Sequence, residues 1–550
     1  VAGATQTAPD VDELARAGLD LDRLRAGQRE AAEAAIGGRD VLAVMPTGYG
    51  KSAVYKLAAA AIDGCTVVIS PLVALQHDQV TALEDERVGA AAEVNANVSE
   101  SERVDIFARL TRGELEFVFL APEQLARPDT VEALRTAHPS VFVVDEAHCI
   151  SSWGHDFRPD YQRLGDVIEQ LGHPVVIALT ATAAPPVRAE IVDRLGLREP
   201  AVIVRGFRRP NLRLQVEQFG DAEEKDAAVV AATLEKAGRG RTGIVYVATQ
   251  KRAEALAAAI TDAGVGAAAY HAGLARRVRD DVHHRFLDGE VDVVVATTAF
   301  GMGIDKPDVR FVLHADVAES VDAYYQEIGR AGRDGKRADC VLFYRPEDLG
   351  LRRYFGSGAP VQADDALAVL RFARGRGRVT IDTIAERAGV STRRVLRVVN
   401  RLVDVGAVTV ADEGEVKPVK GVSANRAVAA IADLEERRAD LDRSRIEMMR
   451  NFAETRGCRV RFVLTYFGEN YEELCGRCDN CVSGRSEDHV ADTDAGPFSH
   501  GMRVTHDSWG EGQVIRTEGD TLVVLFDEGG YRNLSLETVV ERQLLQPIGN

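Results

Sequence analysis

The sequence predicts an α/β protein built on two tandem parallel sheets, followed by a winged helix, a four-cysteine metal module and a small C-terminal β-barrel. Three observations carry that expectation. Short buried-type β runs alternate with Ala-rich helical stretches from about residue 21 to 350, four of the seven cysteines crowd into residues 458–481, and the end of the chain switches to short alternating strands broken by Gly and Asp. The 550 residues suggest three to five domains at roughly 100–200 residues each. A hydrophobic share of 45% with 28% charged residues excludes wholesale disorder. No apolar run approaches the roughly 20 residues that span a bilayer, so a membrane protein is not expected. The N-terminus VAGATQTAPDVDE has neither a basic flank nor an apolar core, so no signal peptide is expected. The net charge of −18 argues against a uniformly basic nucleic-acid coat, and basic strips must be sought locally.

In chain order, residues 1–20 are expected to form a flexible lead-in, and 21–205 the first sheet domain. Its strands are DVLAVM (40–45), TVVIS (66–70), FVFLA (117–121), VFVVD (141–145) and VVIALT (175–180). Residues 206–356 form the second, with GIVYVA (243–248), VDVVVAT (291–297) and VRFVLH (309–314). Residues 357–424 read helix, helix, turn, helix and hairpin, the order of a winged helix. A charged helical stretch leads into the cysteines (425–484), an acidic linker follows (485–497), and 498–550 form a barrel of SH3 or Tudor type.

MPTGYGKS (45–52), between a strand and a helix, has the form of a phosphate loop. Backbone N–H groups of Thr47, Gly48 and Gly50 and the helix N-terminus would cradle phosphates, Lys51 would reach the terminal ones, and Ser52 would hold Mg2+. Asp145 and Glu146 close the strand VFVVD about 95 residues later. Asp145 suits the Mg2+ shell, Glu146 the activation of water, and His148 a relay hydrogen bond. In QEIGRAGRDG (326–335), Arg330 and Arg333 lie three apart, so one helix face is expected to aim both at the γ-phosphate from the second domain.

Cys458, Cys475, Cys478 and Cys481 suit a structural zinc site of four thiolates, the last three lying at i, i+3 and i+6. Cys65, Cys149 and Cys340 are scattered and suit the core. Residues 371–401 hold nine arginines against Asp382 and Glu386, and Arg393, Arg394, Arg397 and Arg401 are expected to face one way as a phosphate-binding footprint. Trp153, Phe157 and Tyr161, with His155 and Arg158, are too aromatic a set for an unpartnered loop; bases stack on such rings for about 1–3 kcal/mol each.

These motifs together resemble the RecQ-type superfamily 2 DNA helicases. LRAGQRE (24–30), VISPLVALQHDQV, LAPEQL, LTATA, GFRRPNL, YVATQKRAE and TTAFGMGIDKPDVRFVLH follow that family's order, and CISSWGHDFRPDY (149–161) is similar to its aromatic-rich loop after DEAH. CRVRFVLTYFGE, before the last three cysteines, resembles the family's zinc module. The resemblance implies two RecA-like domains and ATP, Mg2+ and Zn2+ as cofactors. It further implies Arg25 and Gln28 at adenine, Gly303 and Asp305 among the nucleotide-binding residues, and 3′ to 5′ unwinding of duplex or branched DNA in recombination or repair. Single-stranded and branched DNA are the implied substrates, and the implied location is cytoplasmic, nucleoid-associated if bacterial. The winged helix departs from the family by preceding the zinc module. A double-strand translocase or a transcription-associated ATPase without strand separation is the alternative reading. Val504, His506, Trp509, Gly510, Gly512 and Val514 resemble the C-terminal module of UvrD/PcrA helicases, which implies a protein partner, RNA polymerase or a repair factor, for residues 498–550. Acidic side chains there (Asp507, Glu511, Glu518, Asp520, Asp527, Glu528, Glu537) outnumber Arg503, Arg516 and Arg532, so protein docking is expected over DNA grip.

Overall fold

The computed structural model describes residues 10–19, 23–71, 73–85, 89–151, 158–301, 306–350, 361–375, 379–411, 415–469, 471, 473–487, 497–499, 501–527 and 530–548. The chain divides into two compact units, one of residues 1–348, 448–497 and 515–519, the other of 349–447, 498–514 and 520–550.

The first unit holds two parallel sheets. One comprises β1 (Val41–Val44), β2 (Thr66–Ile69), β3 (Ala91–Val94), β4 (Phe117–Leu120), β5 (Val141–Val144), β6 (Val175–Thr180) and β7 (Ala201–Val204), in the order β3-β4-β2-β5-β6-β1-β7. The other comprises β8 (Leu212–Gln218), β9 (Thr242–Tyr246), β10 (Ala267–Tyr270), β11 (Val293–Ala296), β12 (Val309–His314) and β13 (Ala338–Tyr344), in the order β10-β11-β9-β12-β13-β8. β1, β2, β4, β5 and β11 are buried at every residue, as continuous Val/Leu/Ile/Phe runs require when helices cover both faces. Edge strands β3, β7, β8 and β10 are only half-buried and carry Glu, Arg, Gln or Ala accordingly. β7 ends at Val204 and β8 begins at Leu212, so residues 205–211 connect the sheets.

In the second unit, helices Ala363–Ala373, Ile381–Ala388 and Thr392–Asp404 precede the antiparallel hairpin of β14 (Val408–Ala411) and β15 (Glu415–Pro418), the order of a winged helix. Thr380 and Ser391 cap the second and third helices through Thr383 N–H and Arg394 N–H, and Gly389 ends the second in the left-handed region at φ 65°. The long helix Ala424–Glu454 follows. The C-terminal strands β16 (Arg503–His506), β17 (Gly510–Glu518), β18 (Thr521–Phe526), β19 (Gly530–Ser535) and β20 (Gln546–Pro547) make a five-stranded sheet in the order β19-β18-β17-β16-β20. Its core is Phe498, Val504, Val514, Leu522, Val524 and Phe526. Among the described residues, no helix is long and apolar enough to cross a membrane.

One buried carboxylate ties the first sheet together ahead of β1. Asp40 accepts from Val176 N–H at 3.0 Å, Arg198 N–H at 2.7 Å and the His173 ring at 2.9 Å. Asp40→Ala leaves those donors buried without an acceptor and should destabilise the fold by about 1–3 kcal/mol. A denaturant midpoint equal to the parent's would contradict that account.

Candidate nucleotide site and metal centre

The phosphate loop leaves β1 at Met45, whose N–H donates to Thr180 O at 3.0 Å. Gly48 (φ 76°) and Gly50 (φ 81°) take left-handed backbone that only glycine adopts freely, and this turns the loop into the helix Ser52–Ala61. Thr47, Lys51 and Ser52 are half-buried there. The Lys51 ammonium folds back onto Met45 O at 3.3 Å. The Gln28 amide donates to Tyr49 O at 3.0 Å and Gly50 O at 2.9 Å while accepting Arg25 N–H at 2.9 Å. Arg25 donates to Gly48 O at 3.1 Å, and its guanidinium stands 4.8 Å from the Tyr49 ring centre. The two adenine-reading candidates therefore brace the loop's carbonyls in this state.

The acidic pair follows β5. Asp145 N–H donates to Ile69 O at 2.9 Å, and the carboxylate accepts Glu146 N–H at 3.0 Å as Glu146 turns left-handed at φ 48°. Burial, with the Glu146 charge beside it, pushes the Asp145 carboxyl up to about 6, and Lys51 pulls the other way. The His148 ring nitrogen Nδ1 lies 3.2 Å from Glu146 Oε2 and 2.9 Å from Thr180 Oγ1. Burial works against its charge, yet Cys149 and Glu146 hold its pKa well above the ordinary value. The polar line continues from Thr180 Oγ1 to Thr182 O at 3.1 Å, and from Thr182 Oγ1 to the Gln326 amide of the second sheet domain at 3.0 Å.

The shared helix face expected for Arg330 and Arg333 is absent. The helix Val321–Ile328 stops at Gly329, and turns follow, with Gly332 at φ 57° and Gly335 at φ 79°. Arg209 and Asn211 hold that turn by donating to the carbonyls of Ala331 (3.0 Å), Gly332 (3.2 and 2.7 Å) and Lys336 (3.0 Å). The arginines consequently part. Arg333 lies against the phosphate loop, where a Cβ on Gly48 would stand 3.7 Å from its Cγ. Arg330 is buried beside Gly301, with Nη2 3.4 Å from the corresponding position.

Other candidates are placed as follows. Trp153, His155, Phe157, Gly303 and Asp305 lie outside the described residues. Arg158 donates to Pro71 O at 3.0 Å. Tyr161 is not a base-stacking surface: it is fully buried, and its hydroxyl donates to Asp145 O at 3.0 Å. In the third winged-helix helix, Arg394 forks onto Asp365 at 3.0 Å, and Arg401 reaches Glu435 at 2.6 Å and Asp404 at 3.2 Å. Two of the four arginines, Arg394 and Arg401, are thus ion-paired within the second unit. Val395, Val398, Val399 and Leu402 face the core, leaving Arg393, Leu396, Arg397 and Asn400 as an exposed i, i+3, i+4, i+7 stripe. Leu396 and Asn400 escape a reading that counts charges, although the helical period marks them.

The four cysteine sulfurs lie within 4.8 Å of one another, and Cys475 and Cys481 are 3.8 Å apart. A tetrahedron with Zn–S of about 2.3 Å has S···S edges of about 3.8 Å, so the set fits zinc. Backbone N–H groups of Arg477 (3.5 Å) and Cys478 (3.3 Å) donate to Cys475 Sγ, and Cys475 N–H donates to Cys458 Sγ at 3.4 Å, which favours thiolates. The buried Arg459 fixes the knuckle by donating to Asp479 at 2.6 and 2.9 Å, and Asp479 also accepts Val216 N–H from edge strand β8 at 3.2 Å.

Comparison with known proteins agrees with this layout. Residues 25–190 match the DEAD/DEAH box helicase family, 224–335 the helicase conserved C-terminal domain, and 422–482 the RecQ zinc-binding family. The chain is 34% identical to the probable ATP-dependent DNA helicase RecS of Bacillus subtilis over 83% of its own length and 88% of RecS. It is 33% identical to the ATP-dependent DNA helicase RecQ of the same organism over 85% of its length and 66% of that protein. Against RecQ of Pasteurella multocida it is 40% identical over 62% of its length and 53% of that protein. In fold it resembles the DUF1998 helicase MrfA bound to DNA, with a TM-score of 0.52 at 16% identity, covering 76% of this chain and 60% of that one.

One zinc ion per chain should be found by elemental analysis, and Cys478→Ser should lower that content and the thermal midpoint together. Unchelated protein free of zinc would refute the assignment.

Proposed function

Because the chain belongs to the RecQ family of DNA helicases, we propose that it couples ATP hydrolysis to strand separation, moving 3′ to 5′ along single-stranded DNA and opening duplex or branched substrates in recombination or repair. The observation that carries this reading is the approach of Arg333, from the second sheet domain, to Gly48 in the phosphate loop of the first. A nucleotide in that loop is held between two domains, so binding, hydrolysis and release close and open them.

The loop N–H groups and the helix dipole hold the phosphates, and Lys51 moves from Met45 O onto the terminal ones. Ser52 and Asp145 would hold Mg2+, which supplies charge neutralisation at the bridging phosphates. Glu146 orients the attacking water and His148 keeps the Glu146 carboxylate in place. Arg333 meets the charge that develops on the γ-phosphate, and Arg330 supports it from the 301 segment. Arg25 and Gln28 leave the loop carbonyls to read adenine, and Gly303 and Asp305 complete the site from the second domain. Trp153, His155, Phe157 and Arg158 contact the single strand, and Tyr161 links that loop to Asp145. The exposed Arg393 and Arg397 contact duplex phosphates, with Arg394 alongside them on its Asp365 support. Residues 498–550 dock a protein partner, RNA polymerase or a repair factor, in the manner of the UvrD/PcrA module they resemble.

A forked duplex with labelled strands tests the reading. ATP should drive separation of a substrate with a 3′ tail and not of one with a 5′ tail only, and Arg333→Ala should slow hydrolysis by about 10³-fold or more. ATP-dependent movement without strand separation would overturn it. Arg393 and Arg397 changed together to Ala should weaken duplex binding and flatten the slope of log K against log[salt] by about 1.8. An unchanged slope would return that stripe to solvent.

A further inference from the structure

Residues 205–211, which join the two sheets, are held by elements of both sheet domains and of the zinc module. Arg205 N–H donates to Val44 O at 3.1 Å, extending the pairing of β7 with β1. At Gly206 (φ 84°), a Cβ would stand 2.6 Å from Tyr49 Cε2 and 3.1 Å from Cδ2, so the ring carried by the phosphate loop rests on the connector's backbone. Phe207 is buried and stacks on Phe467 of the zinc module, with ring centres 4.4 Å apart and planes 6° apart. Its N–H donates to the Glu469 carboxylate at 3.2 Å, and its carbonyl accepts the Tyr325 hydroxyl at 2.8 Å. The same zinc-module turn reaches the first sheet domain, where Arg188 donates to Phe467 O at 2.7 Å. Arg209 and Asn211 then hold the turn that carries Arg330 and Arg333.

We propose that Tyr49 and the Phe467–Gly468–Glu469 turn are positioning residues that clamp Gly206–Phe207 between them, so that filling of the phosphate loop is passed to the connector and, through Arg209 and Asn211, to the arginine turn. The inference rests on the proposed ATPase and adds to it the route by which the nucleotide moves the second domain. Phosphates entering the loop displace Lys51 from Met45 O and disturb the Gln28 bonds to Tyr49 O and Gly50 O, and Tyr49 is the loop side chain that stands nearest the connector's Gly206, with Pro46 beside it. The zinc module supplies the fixed jaw: Phe467, bonded to Arg188 and stacked on Phe207, holds one side of the connector while Tyr49 bears on it from the loop. Tyr49 touches no reacting atom in this scheme.

The zinc-loaded full chain tests it. Tyr49→Ala, Phe467→Leu and the double variant should each lower the kcat of DNA-stimulated hydrolysis by between about threefold and thirtyfold, with KM and the Kd of a fluorescent ATP analogue within about twofold of the parent. The double variant should be no worse than the poorer single one, because both act through one contact path. Tyr49→Phe, which keeps the ring, should restore kcat. Hydrogen exchange provides a readout that needs no turnover: a non-hydrolysable analogue should change exchange at the Phe207 amide in the parent and not in Tyr49→Ala. A parent without Lys51-dependent hydrolysis would refute the ATPase reading and leave the exchange result to decide the clamp. Multiplicative losses in the double variant, a loss confined to KM, or the same nucleotide-induced exchange in Tyr49→Ala would overturn the clamp.

Discussion

The ATP chemistry proposed for this chain is divided between two sheets joined by residues 205–211, and that short connection is the constraint on which the rest depends. Lys51, Asp145 and Glu146 stand at the C-terminal ends of β1 and β5, while Arg330 and Arg333 stand beyond β12 in the other domain. Neither sheet alone surrounds a triphosphate with opposite charge. A parallel sheet places its strand ends and following helix N-termini on one edge, so two such edges facing each other make a site that is complete only when the domains approach. Burial of Asp145 has the same logic. Its carboxyl, raised to about 6 by desolvation and the neighbouring Glu146, is a poor isolated anion that cationic partners in the cleft would stabilise.

Much of this arrangement was legible in the sequence, and the reasons are local. Strands buried on both faces must be largely apolar, so VLAV, TVVI, FVFL, VFVV and VVVA announced themselves. The half-exposed AAEV, LRLQVEQ and AAAY did not, because an edge strand tolerates the residues of an ordinary helix or loop. The phosphate loop and the four cysteines were readable because their chemistry demands short-range spacing. What spacing could not convey is tertiary. Arg330 and Arg333 are three apart, but Gly329 ends the helix and Gly332 redirects the chain, so the helical rule fails between them. Tyr161 looked like a stacking platform and is instead a buried strut to Asp145. Nothing in the spacing of Arg394 announced its pairing with Asp365, 29 residues earlier. Tyr49 drew no notice because a lone aromatic between two loop glycines carries no signal until the connector folds against it.

The zinc module acquires a clear physical role in this picture. A site of four thiolates has no open coordination position, so its ion contributes stability and shape. Here that shape serves both sheet domains: Asp479 covers a free N–H of edge strand β8, and the turn after the helix Arg459–Tyr466 grips the connector and Arg188. The winged helix, by contrast, belongs to the second unit, and its third helix exposes Arg393 and Arg397 on one face.

Closure of one sheet domain on the other is the central claim, and a distance measured between them tests it most directly. Spin labels carried by unnatural amino acids at the exposed positions Val104 and Val278, one in each sheet domain, leave the zinc thiolates untouched. Pulsed electron–electron resonance should show a broad distance distribution in the free chain that shortens and narrows with a non-hydrolysable ATP analogue and single-stranded DNA, and no such change in Lys51→Ala. The same distribution with and without nucleotide would contradict the account.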